Sequence, residues 1–129
     1  MAKSRINRYL PIAYEAVKNS KIIKDDKLQG NYKAQITSFG AAISMGSLLS
    51  AIAFFSNKGS SDVERQELMK LIYYIIRKDK GGKEKYNDIK KYALFEYVKD
   101  DGNVKQEVLD AAIAIKLTLN LFIEDKGDA

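Results

Sequence analysis

From Ala34 through Asn57 the chain carries no charged side chain, and this run limits the possible folds more than any other feature. A run of that length is enough to span a bilayer, so a membrane helix is the first reading to test. Gln35, Thr37, Ser38, Ser44, Ser47, Ser50 and Ser56 interrupt it with too many polar groups for hydrocarbon, and that reading is rejected. What remains is a long second helix over about residues 31–56. Its apolar side chains fall in two stripes at helical spacing. Met45, Leu48, Leu49, Ile52 and Phe55 make one, and Ile36, Phe39, Ile43 and Phe54 the other. Between them runs a stripe of small residues, Gly40, Ser44, Ser47 and Ala51. Small side chains let a neighbour come close, so Gly46 and Ser47 are expected where another helix packs. A helix apolar on most sides is the largely buried centre of its domain, or it offers one stripe to a partner protein.

The other segments also read as helices. A first helix lies within residues 5–19, where Ile6, Leu10, Ala13 and Val17 share a face. Pro11 either opens that helix at its first position or kinks it. Residues 20–29 read as a loop. Ser61 and Glu64 form a capping box that starts a third helix. Its apolar face is Leu68, Leu71, Ile72, Ile75 and Ile76, and it stops at Arg77–Gly82. A fourth helix is expected over 83–98, with Tyr86, Ile89, Ala93 and Tyr97 inward. Asn103 with Gln106 resembles a second capping box, followed by a fifth helix to about Glu124. No segment alternates as a strand does. The 129 residues, 46% of them hydrophobic, suit one domain spanning 1–129. The expected fold is all-α, a single compact bundle of about five helices.

Composition excludes much chemistry. The chain has no Cys and no His, which removes thiolate sites, disulfides, the commonest general base and the commonest metal ligand. No Gly-rich phosphate loop occurs, and the carboxylates do not gather on one face. Asp100-Asp101 precedes Gly102 and reads as a turn, not a catalytic dyad. No catalytic residue, no metal site and no cofactor are expected. Lys3, Arg5 and Arg8 are not followed by the apolar stretch of a signal peptide, so a cytoplasmic, soluble protein is expected.

Charge gives the positive indication. Residues 1–61 hold nine Lys/Arg against three acids, whereas residues 92–129 hold four Lys against eight acids, within a net charge of +5. A basic first part suits nucleic acid or another polyanion. Opposite charge at the two ends also permits head-to-tail self-association. Lys3, Arg5, Arg8, Lys18, Lys21, Lys24 and Lys27, adjoined by Lys33, are the candidate RNA-binding residues. A second group, Arg77, Lys78, Lys80, Lys83, Lys85, Lys90 and Lys91, is diluted by Asp79, Glu84 and Asp88 and reads as a solvated face. The eight tyrosines could stack bases, but most fall near apolar stripes and read as core-edge packing. A stand-alone helical DNA-binding or regulatory protein is the alternative. Its best recognition helix would be 83–98, basic only in its first part.

Residues 32–55 also carry a resemblance. Tyr32, then Phe39-Gly40, Met45-Gly46, Leu48 or Leu49, and Ile52-Ala53-Phe54 resemble the second helix of the small subunit of the type III-B CRISPR Cmr effector complex, the RAMP module. Gly40 stands where that family's pattern has Pro. The last helix lacks its Trp and carries Leu121, Phe122, Ile123 and Glu124 instead. The resemblance implies a non-catalytic subunit that stacks head to tail with further copies of itself and contacts other subunits of the complex. It also implies that the subunit lines the path of guide RNA and target RNA in antiviral defence, with no membrane involved.

Overall fold

The computed structural model describes residues 2–57 and 65–125. Its elements in chain order are α1 (Ala2–Lys18), β1 (Ile23–Lys24), β2 (Lys27–Leu28), α2 (Tyr32–Met45), α3 (Leu48–Phe55), α4 (Arg65–Asp79), α5 (Ala93–Val98), α6 (Lys105–Leu119) and β3 (Ile123–Glu124). The chain is a helical bundle, as expected. The Ser61–Glu64 capping box lies outside the described residues.

The centre of the bundle is not the charge-free segment. It is α6, which buries Val108, Asp110, Ala111, Ala112, Ala114, Ile115, Thr118 and Leu119, together with α4, which buries Leu68, Met69, Leu71, Ile72, Ile75 and Ile76. α1 lies along both and contributes Tyr9, Ala13, Ala16 and Val17 to the core. It runs through Pro11 without a break. Asn7 and Pro11 are both exposed, so the carbonyl that proline deprives of a partner stays within reach of water.

The expected long second helix is two helices. The Gly46 amide donates to the Ala42 carbonyl at 2.9 Å and closes α2. Ser47 is extended, and its Oγ accepts from the Ser50 amide at 3.1 Å. Serine in that role opens a new helix. Gly46 and Ser47 are therefore exposed cap residues and not a packing seam. α2 buries only Tyr32, Ile36, Phe39 and Ile43, and α3 only Ala51, Ile52 and Phe55. The first stripe is thus split, with Met45 88% exposed beside buried Ile52 and Phe55.

Three further boundaries differ from expectation. Residues 83–92 are not helical beyond a 3₁₀ turn at Tyr86–Asp88. α6 is not opened by Asn103. Asp101 accepts from the Asn103 amide at 3.0 Å to shape a 3₁₀ turn, and Val104 precedes the helix without a side-chain cap. α6 ends at Leu119, and Ile123–Glu124 instead runs parallel to β2, which is antiparallel to β1. The β1–β2 connection is Asp25-Asp26 with φ of 55° and 63°, the two left-handed residues that a tight two-residue hairpin needs.

The stop after α4 is as expected, and its geometry requires both glycines. Gly81 has φ +87°, its amide donates to the Lys78 carbonyl at 3.0 Å, and the Gly82 amide donates to the Arg77 carbonyl at 2.7 Å. That is the paired closure of a helix by a left-handed residue. A Cβ on Gly82 would lie 2.8 Å from the Arg77 carbonyl oxygen, whereas one on Gly40 would meet nothing within 4 Å. Gly82→Ala is expected to cost about 1–3 kcal/mol. Gly40→Ala, inside α2, is expected to gain about 0.5–1 kcal/mol. Urea midpoints of the two variants check both signs.

α1 is held by two ion pairs. Arg5 Nη1 donates to Asp110 Oδ2 at 2.9 Å, and Arg8 donates from Nε and Nη2 to both Asp79 oxygens at 3.1 Å. Asp110 is fully buried and also accepts from Gln106 at 2.9 Å, whereas the Arg5 side chain is 32% exposed. The two deletions should therefore be unequal. Arg5→Ala strands a buried carboxylate and should cost about 3–5 kcal/mol. Asp110→Ala leaves an arginine that can reach water and should cost about 1–3 kcal/mol. Equal costs in denaturant titration would refute this asymmetry.

Candidate functional site

The seven candidate RNA-binding residues differ in their surroundings. Arg5 and Arg8 are committed to Asp110 and Asp79. Hydrogen bonding and attraction to Asp79 raise the Arg8 pKa further, as expected for a structural pair. Lys3 lies in the first turn of α1, and its side chain is outside the described residues. Lys18, Lys21, Lys24 and Lys27 are exposed near the β1–β2 hairpin. Among the described residues no carboxylate lies within ion-pair distance of these four. Lys18 Nζ stands 5.7 Å from the Tyr14 ring centroid, and Tyr14 stacks on Phe122 at 6.0 Å. Lys33 is 3.4 Å from Glu124.

The second basic group is sorted in the same way. Arg77 faces Glu84 at 3.7 Å, and Lys80 faces Glu107 at 3.1 Å. Lys80 also donates to the Tyr97 hydroxyl at 2.7 Å, and that bond, with Glu107, raises its pKa. Lys83, Lys85, Lys90 and Lys91 are exposed. Because 83–92 is not a helix, the recognition helix of a DNA reader is missing there. The tyrosines divide as the apolar stripes imply. Tyr9 and Tyr32 are buried and four others half-buried, while Tyr14 and Tyr92 remain exposed. Burial, with Glu107 and Asp79 nearby, pushes the Tyr9 phenol well above its usual range.

The charge-free run presents an exposed face without charged side chains of its own, the second of the two readings that its sequence allows. Thr37, Ser38, Ala41, Ser44, Met45, Leu49, Ser50, Ala53 and Phe54 are all exposed on α2, α3 and their junction. Ile113 and Leu117 of α6 are exposed as well. A groove between α2 and α6 is lined by Thr37, Gly40, Ala41 and Ile113, with Lys116 also on it. The signal lay in the charge-free run itself, which reads equally as a buried helix or as an uncharged surface.

Among the described residues no group of three acids could hold a metal ion, and no helix is long and apolar enough to cross a membrane. The buried carboxylates already have partners. Glu67 accepts from the Tyr86 hydroxyl at 2.8 Å, with Lys70 at 3.5 Å.

Neither a search of curated proteins nor one of solved structures returns a match. The family model described as CRISPR-associated protein (Cas_Cmr5) matches residues 5–118, which takes in α1 to nearly the end of α6 and so almost the whole bundle. The chain belongs to this family, the small-subunit family of the type III-B CRISPR Cmr complex.

Proposed function

We propose that the chain is a non-catalytic subunit of a cytoplasmic, RNA-guided antiviral effector. It packs against other subunits and further copies of itself, and it helps hold guide RNA and target RNA while other subunits cleave. The observation that carries this reading is the family match over residues 5–118. Two features of the surface support it. The face of α2 and α3 suits packing against protein, because its own exposed side chains are uncharged and the cations that border it, Arg65 at 5.0 Å over the Phe54 ring and Lys116 on the α2–α6 groove, lie at its edges. Exposed lysines without carboxylate partners suit phosphate, which needs cations and no base-specific geometry. The hairpin residues Lys18, Lys21, Lys24 and Lys27 keep their candidacy for RNA. Arg5 and Arg8 act instead through the fold, and their substitution would confound stability with binding.

Reversing Lys18, Lys21, Lys24 and Lys27 to Glu in the reconstituted complex should weaken target-RNA binding. The slope of log affinity against log salt should become shallower by about 0.7–0.9 for each phosphate that is no longer neutralised. Reduced incorporation of the subunit at unchanged RNA affinity would make the hairpin a protein interface instead.

The packing face has its own test. Phe54 is 56% exposed, but it packs edge-on against Phe55 at 5.4 Å and lies under the Arg65 guanidinium at 5.0 Å, so Phe54→Glu should cost the isolated chain about 0.5–1.5 kcal/mol, leave it folded and lower its incorporation. Normal incorporation of a folded Phe54→Glu chain would remove α3 from the packing surface.

A further inference from the structure

We propose that Lys83, Lys85, Lys90 and Lys91, displayed on the segment that joins α4 to α5, form a second RNA-phosphate surface that binds more strongly than the hairpin. The inference rests on the reading that this subunit holds RNA.

In sequence these lysines are interleaved with acids, but the fold draws two of those acids away. Asp79 is taken by both donors of Arg8 at 3.1 Å. Glu84 accepts from the Tyr73 hydroxyl at 3.2 Å and faces Arg77 at 3.7 Å. Each is thereby neutralised by a cation outside the group. Along 83–91 this leaves four exposed lysines against one uncommitted carboxylate, Asp88. Among the described residues none of the four has a carboxylate within ion-pair distance. The hairpin is less favourable. Asp25 and Asp26 occupy its tip between Lys24 and Lys27, and exposed Glu15 lies three residues before Lys18 on α1.

The segment is also held in place. Lys85 is extended, with φ −80° and ψ 146°, and extended backbone sends alternate side chains to opposite sides. Glu84 and Tyr86 turn toward α4. Tyr86 bonds Glu67 at 2.8 Å, packs edge-on against Tyr74 at 5.9 Å and lies under Lys70 at 4.9 Å. Lys83 and Lys85 consequently point to solvent. Ile89 is buried and fixes the chain again just before Lys90 and Lys91. Lysines on an anchored backbone lose less freedom on binding than lysines on a free loop.

The residue type selects the partner. Protein interfaces are depleted in Lys and enriched in Arg, and base edges are read best by bidentate side chains. Four lysines with no arginine match the phosphodiester backbone, and binding through them is insensitive to sequence.

The test uses the reconstituted effector with guide RNA and a fluorescein-labelled RNA complementary to that guide. Anisotropy is followed over a salt series, with subunit content read by native mass spectrometry. Reversing Lys83, Lys85, Lys90 and Lys91 to Glu should weaken binding about ten- to a hundredfold and flatten the salt slope, more than the hairpin reversal does. Incorporation should stay unchanged. The same four residues changed to Gln give a smaller loss in the same direction, and circular dichroism of each isolated variant excludes unfolding. An effect from the hairpin reversal alone would overturn this inference and leave the RNA reading standing. No effect from either reversal would overturn both. Reduced incorporation at unchanged RNA affinity would make this surface a protein interface and overturn the inference.

Discussion

Asp110, a carboxylate with no exposure to water, sits in the middle of α6, and a charge in that position has to be answered by the rest of the fold. Arg5 of α1 answers it from one side and Gln106 from one turn earlier on the same helix. The pair fixes α1 beside α6 and sets their direction. Arg5 meets Asp110, and further along α1 Tyr14 meets Phe122 just past the end of α6, so the two run parallel. Three residues after Arg5, Arg8 grips Asp79 at the end of α4 with both donors. The two arginines of α1 thus place it against the two most buried helices. Apolar packing alone would tolerate small slides along the helix axis, and a buried ion pair does not.

The same ion pairs change the meaning of the charge distribution. A basic beginning and an acidic end look like two poles that could attract another copy. In the folded chain they lie together. Arg5 pairs with Asp110 and Lys33 with Glu124, and β3 runs beside β2. Much of the attraction available between the segments is used within one molecule. Among the described residues the cations left without a carboxylate partner include the lysines of the hairpin and those of the segment after α4, with Lys78, Lys105 and Lys116 scattered beyond them.

The fold was legible where apolar spacing repeats over several turns. Leu68, Leu71, Ile72, Ile75 and Ile76 specify α4 without ambiguity, and Gly81-Gly82 specify its end. Legibility failed where two patterns share residues. Tyr86, Ile89, Ala93 and Tyr97 fit helical spacing, yet Glu84 and Tyr86, on either side of extended Lys85, are the pair that docks on α4. Ser47 is an acceptable residue inside a helix and a better one at the start of a helix, so the break after Gly46 left no mark in the apolar pattern. A two-residue strand such as Ile123–Glu124 has no periodicity at all. The roles of Arg5 and Arg8 were hidden for another reason. Both leave the apolar face of α1, and their partners lie 105 and 71 residues away in sequence, respectively. Local spacing could place the arginines on the outside but could not show them spent on carboxylates.

The charge-free run is best understood from the side that faces water. Solvated helix faces normally carry charge, and the rest of this surface does, with 30% of the chain charged. Over α2 and α3 the exposed positions are threonine, serine, alanine, methionine, leucine and phenylalanine. Burial does not explain this, because these positions are not buried. Under the proposed packing of copies on one another, repulsion between them would. Each copy carries a net charge of +5, and at physiological salt the repulsion is screened over only about 8 Å. Two copies in contact would therefore feel any lysine placed in the seam. A face whose own exposed side chains are uncharged, with Arg65 and Lys116 only along its edges, brings little unpaired charge into a contact. Gly40, Thr37 and Ala41 keep the side chains along the α2–α6 groove short, so a neighbour's backbone can come close. Serine and threonine hydroxyls keep the free face wetted. Under the proposed function the missing charges and the surplus lysines would serve one arrangement, with protein contact confined to the neutral face and phosphate contact to the cationic ones.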